Sequence, residues 1–266
     1  DDDLRPLGTM IADALAPEAR VHVTAGAGYY STLISAYAGL IKHSGVRPVV
    51  VVPLCARLAT VAWSTHPNYS YLEAIARIEG FGPDTPISKM RMRTATKSNE
   101  QFRRYGAQPI TTWAGTGPIS EFREPLRDPA AHRLSEDERR KALYAYHHGE
   151  AADPDSRPVA EVERMGRVLR DLDVEVVPFE TSVPVEEGVA LWGEQFRDNA
   201  QRTFDILGDA FRRGYGSIDV LRTGFVVKRS EFIDPADGSE HMNQRGRARV
   251  AGHLVEAVQE ALVRRG

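Results

Sequence analysis

The segment Phe232-Ile-Asp-Pro-Ala-Asp-Gly-Ser-Glu-His-Met-Asn-Gln-Arg-Gly-Arg247 sets one histidine, His241, behind three carboxylates, Asp234, Asp237 and Glu240, directly before a run with helical apolar spacing. A histidine brought by a loop to the start of a helix, with a carboxylate to orient it, is an arrangement hydrolases use for a general base. His241 is therefore the candidate base. Asp237 is its favoured partner, because the glycine that follows permits a turn returning the carboxylate to the imidazole. Two rivals stay open: Asp234, which suits a turn former before Pro235, and Glu240, whose place next to the histidine tends to point it away.

Other reactive types carry less. Cys55, the sole cysteine, ends the apolar run Val49-Val-Val-Val-Pro-Leu-Cys55. One cysteine excludes an internal disulfide framework and a cysteine-rich zinc site. An apolar strand raises a thiol pKa and makes it inert, so Cys55 reads as structural rather than nucleophilic. Ser31 opens a helical pattern and reads as an N-cap. His147-His-x-Glu150 resembles a metal cluster only superficially, since adjacent histidines point in different directions and no fourth ligand stands at a useful spacing; no metal is expected. Trp63, Trp113 and Trp192 are read as core residues ahead of an acyl or sugar platform.

The elements that must position these residues follow from periodicity. Leu4 to Leu15 is amphipathic and predicts a helix, Val21 to Thr24 a short strand, Ala25-Gly-Ala-Gly28 a close-approach turn, and Tyr29 to Lys42 a helix. The unbroken apolar run from Val49 predicts a strand covered on both faces, parallel to its predecessor. The second half repeats this logic: a helix over Val159 to Leu172, a strand over Val174 to Pro178, a long helix over Val189 to Gly214, a strand over Ser217 to Leu221 and a closing helix over Arg247 to Arg264. The pattern predicts one α/β domain over 1–266 with a doubly wound, mostly parallel sheet, three layers α/β/α, and a ligand crevice at the carboxyl ends of the strands. Residues 80–157, with a basic tract at Lys89, Arg91, Arg93, Lys97, Arg103 and Arg104, predict a partly helical insertion or lid whose charge is solvated.

Thirty-four Lys and Arg against 37 Asp and Glu give a net charge of -3 over 266 residues. That balance offers no electrostatic case for nucleic acid or an anionic membrane, and a small or neutral substrate fits better. No run of about 18 apolar residues predicts a membrane span, and no signal-peptide pattern opens the chain. The compartment stays open. The chain starts at Asp1 rather than Met and runs straight into a helical pattern, so a segment is expected before it.

Taken together, the small-residue turn ending at Gly28, Pro53-Leu-x-x-Arg57, Trp63 with Pro67, Trp192-Gly193 and Phe232-x-Asp234…His241-x-Asn243-x-x-Gly246-Arg247 resemble the SGNH (GDSL-type) hydrolase superfamily. The resemblance covers most of the chain outside the insertion and is most specific in the last block. It implies a serine esterase or O-acyltransferase working through an acyl-enzyme on a small-molecule ester or acylated substrate, with His241 as base, Asp237 as its carboxylate and no cofactor. Gly28, Cys55 and Arg57 form the implied oxyanion- or substrate-binding set. Three departures stand out. The spacing to Asp237 is slipped by one residue, and the Gly-Asp-Ser nucleophile block is expected upstream of Asp1. Cys55 stands where the family has an asparagine; a thiol donates less well than an amide. Loss of one oxyanion donor costs on the order of 10²–10³ in rate, which a cationic Arg57 would offset. The alternative is a noncatalytic small-molecule or glycan binding protein that keeps the crevice.

Overall fold

A computed structural model describes residues 6–16, 19–22, 41, 47–60, 135–235, 238 and 240–265. Gly28, Ser31, Trp63, Trp113, Asp237, the basic tract and the insertion as far as residue 134 lie outside the described residues.

The fold is mixed α/β around a small parallel sheet. Strands β1 (Val49–Leu54) and β2 (Glu175–Glu180) pair in parallel, Val49 opposite Glu175 and Leu54 opposite Glu180. Side chains alternate across them. Val50, Val52, Leu54 and Val176 join one apolar cluster, whereas Val49, Val51, Val177 and Phe179 join another. The first is completed by α4 (Arg157–Asp171) and α6 (Glu194–Tyr215), the second by α1 (Leu7–Leu15) and α7 (Gln244–Arg265). Helices therefore cover both faces of the strand pair, which is what an unbroken valine run needs to be stable.

Helices α4 and α6 touch backbone to backbone because glycines stand where they meet. A Cβ on Gly214 would lie 2.0 Å from the Glu163 carbonyl oxygen, and one on Gly166 would lie 2.7 Å from that of Phe211. The apolar face of α4 (Val159, Val162, Met165, Leu169) repeats at helical spacing and is buried against α6. Burying each such side chain contributes about 1.5–3 kcal/mol.

Several boundaries differ from the expectations. Val21 and His22 are not in a strand. The single helix expected from Val189 to Gly214 is two, α5 (Val185–Trp192) and α6, separated at Gly193. Gly193 has φ 73, a left-handed conformation that a helix cannot continue through. The strand expected over Ser217 to Leu221 shrinks to one parallel bridge between Leu221 and Phe179. Leu221 N–H donates to the Pro178 carbonyl at 2.8 Å, and Glu180 N–H donates to the Leu221 carbonyl at 3.1 Å. The next rung would need an N–H from Pro178, which has none, so the ladder stops.

Within the expected insertion, the described part is mainly helix α3 (Glu136–His148). Ser135 starts it with a capping box: its hydroxyl accepts from Glu138 N–H, and the Glu138 carboxylate accepts from Ser135 N–H at 2.8 Å. No helix among the described residues is long and apolar enough to cross a membrane.

Candidate functional site

The carboxyl end of β1 gathers the polar residues. After Leu54 the chain turns at Cys55, whose extended backbone starts the short helix α2 (Ala56–Ala59) carrying Arg57. Next to it, β2 ends at Glu180, and Thr181 N–H donates back to the Leu54 carbonyl at 3.1 Å. Glu180 is itself buried and fixes the chain beyond Leu221, accepting from Arg222 Nη1 at 2.6 Å and from Gly224 N–H at 3.2 Å. Burial raises its carboxyl against the pull of those donors.

The His241 loop closes over this end. Its base is an antiparallel bridge between Phe232 and Met242, with Ile233 N–H donating to the His241 carbonyl at 2.8 Å and Asn243 N–H to the Glu231 carbonyl at 2.9 Å. Gly238 turns the loop with φ 69. Asn243 starts α7: its Oδ1 accepts from Arg245 N–H at 3.0 Å and Gly246 N–H at 3.3 Å, which explains why the helix begins before Arg247. Gly246 is held close against the Glu231 carbonyl, 2.6 Å from where a Cβ would stand. Asn243 and Gly246 thus both have structural work at the helix start.

Inside the loop, Glu240 turns inward while His241 stays exposed. The Cys55 thiol donates to a Glu240 carboxylate oxygen at 3.3 Å, and the Arg57 backbone N–H also reaches that carboxylate. Burial pushes the Glu240 carboxyl up, opposed first by the Arg57 charge and then by the thiol, the Arg57 N–H and the charge of His241. Burial likewise pushes the Cys55 thiol up to about 12, with Glu240 adding to it and Arg57 opposing. A thiol held protonated at neutral pH and already donating its proton is a structural group, not a nucleophile.

One residue near the site was legible only as half of a rejected metal pair. His148 ends α3, is 2 % exposed, and neither ring nitrogen completes a hydrogen bond. Burial pushes it down to about 3, and the Arg57 charge pushes the same way. His147 on the same turn is only part-buried, its ring 6.1 Å away and tilted by 57°. The i, i+4 spacing of Tyr144 and His148 was the available signal, since both fall on one face of α3.

The structure thus brings Cys55, Arg57, Glu240 and His148 together, with His241 at the exposed edge. Asp234 lies in the same loop. Trp192 is part-buried at the end of α5, where its Nε1 donates to the Lys141 carbonyl at 3.3 Å. The chain matches no protein-family model, no curated protein and no solved structure.

Proposed function

We propose that the chain is a serine esterase or O-acyltransferase of the SGNH type, acting on a small-molecule ester or acylated substrate through an acyl-enzyme. The observation that carries this reading is the meeting of the Cys55–Arg57 turn and the Glu240–His241 loop at the carboxyl end of β1, with the imidazole exposed. In doubly wound parallel sheets that end is where ligands bind. The helices on both faces of β1 and β2 are what one part of a three-layer α/β/α sheet would present.

In this reading His241 takes the proton of a serine supplied from outside the described residues as the serine oxygen attacks the ester carbonyl. It then returns that proton to the departing alcohol, and water or a second alcohol cleaves the acyl-enzyme by the reverse route. Asp237 orients the imidazole. The resemblance assigns the oxyanion role to Arg57 and to Gly28, which lies outside the described residues, and Cys55 holds the wall of the crevice through Glu240. No cofactor is needed. An insertion over the crevice would exclude water and favour transfer over hydrolysis.

The test is pre-steady-state release of p-nitrophenol from short p-nitrophenyl esters by the full-length protein. A burst matching the protein concentration, followed by slow turnover, supports the acyl-enzyme; release at the buffer rate counts against it.

A noncatalytic small-molecule or glycan binding protein is the second reading, favoured by one observation: Glu240 spends its part-buried carboxylate on Cys55 and Arg57. Saturable ligand binding by the full-length protein without turnover would select it.

A further inference from the structure

Among the described residues, His148 is a buried side chain whose two ring nitrogens complete no hydrogen bond. Its ring lies edge-on to Phe196 of α6, centroids 5.7 Å apart and planes at 77°. One turn earlier, Tyr144 is fully buried and donates to the Pro235 carbonyl at 2.5 Å. Gly238 stands against the same face, 3.3 Å from the Tyr144 ring and 3.4 Å from the His147 ring, measured from where its Cβ would be. The last turn of α3 therefore seals the His241 loop from one side with Tyr144 and His148.

We infer that the last turn of α3 is an acid-released cover, docked over Arg57 and the Gly238 turn while the His148 ring is neutral and released when that ring takes a proton.

The groups around the ring decide the direction. From α2 comes the Arg57 guanidinium, which repels a second positive charge. From the loop comes the Gly238 backbone, which favours the protonated ring without completing a hydrogen bond to it. From α6 comes Phe196, which is apolar, and from α3 itself the His147 ring. Glu240, the carboxylate on the same loop, is engaged by Cys55 and the Arg57 N–H. A proton on His148 thus meets an apolar ring and a cation, and moving the turn into water relieves both. The amino half of α3 has its own anchor: Arg140 lies 3.3 Å from the buried Glu187, which also pairs with Arg229 at 2.6 Å. Release is therefore confined to the carboxyl-terminal turn.

The sign is fixed by linkage. The docked ring takes its proton only near 3 and a solvated one near 6.5, so docking is favoured at neutral pH and weakens as pH falls between those values. For a ring that regains its ordinary value on release, docking is about thirty-fold weaker at pH 5 than at pH 8. The inference concerns helix docking and stands whether or not the crevice processes esters.

Hydrogen exchange of the full-length protein, expressed as protection factors at pH 8 and pH 5, tests it. The expected result is about a thirty-fold loss of protection confined to 144–149 and the described loop residues 233, 234, 238, 240 and 241, while α4 and α6 keep theirs. His148→Phe and His148→Gln, neutral at every pH, should abolish the loss; if the Phe variant does not fold, the Gln variant carries the comparison. Unchanged protection in the wild type, the same loss in a folded variant, or simultaneous loss across α4 and α6 would each overturn the inference.

Discussion

The Cys55 thiol donates to the Glu240 carboxylate at 3.3 Å, joining positions 185 residues apart. That contact ties the loop carrying His241 to the end of β1, and Arg57 N–H reinforces it from the next turn. It also gives the lone cysteine a structural part, because a part-buried thiol donating to a carboxylate is disfavoured from ionising.

Native Cys55 should consequently be inert. With its thiol pushed from 9.0 to about 12, the thiolate fraction at pH 8 falls, and reaction with DTNB should be about a thousandfold slower than in urea. Glu240→Gln should speed the native reaction by less than about tenfold, since burial is the larger cause. The folded state keeps a proton that the unfolded state releases between pH 9 and 12, so stability should fall across that window.

Glu231 and Arg249 set an acid limit. The carboxylate, 6 % exposed, accepts from Arg249 at 2.6 and 2.9 Å, and this pairing holds Glu231 down at about 2. Its contribution is complete above 4.5, where the unfolded chain is ionised, and is lost as pH falls toward 2. Urea midpoints should therefore drop through that range. Glu231→Gln should be less stable at pH 6 and show a flatter decline below 4.5.

The glycines offer opposite outcomes from one substitution. Gly214→Ala drives a methyl to 2.0 Å from the Glu163 carbonyl and should cost about 1–3 kcal/mol or more by urea unfolding. Gly252 lies inside α7 with nothing within 4 Å of a new Cβ. Gly252→Ala should stabilise by about 0.5–1 kcal/mol through helix propensity alone.

Much of the scaffold was legible in the chain because its signals are local. The valine run marked β1 as a two-faced parallel strand, and helical spacing marked α4 and α7. Where the expectation failed, a single backbone property decided. Pro178 lacks the N–H that would extend pairing to a full strand before Leu221, and Gly193 adopts the left-handed turn that divides α5 from α6. The site was less legible. That His241 follows a loop into a helix is written in sequence, but which carboxylate faces inward is a tertiary matter, and Glu240 meets a partner from the other half of the chain. His148 drew notice only beside His147, since its burial depends on Phe196 and Arg57, which spacing does not reveal.

The central claim is that His241 is the base of an acyl-transfer site, and the rate of fluorophosphonate labelling of the full-length protein tests it most directly. Labelling should map to one serine and be abolished in a folded His241→Ala variant. Asp237→Asn should slow it by about 10⁴-fold, as when an orienting carboxylate loses its charge, with Asp234→Asn and Glu240→Gln costing far less. Crippling by Asp234→Asn would reassign the carboxylate and leave the base in place; labelling of His241→Ala at the wild-type rate would contradict the account.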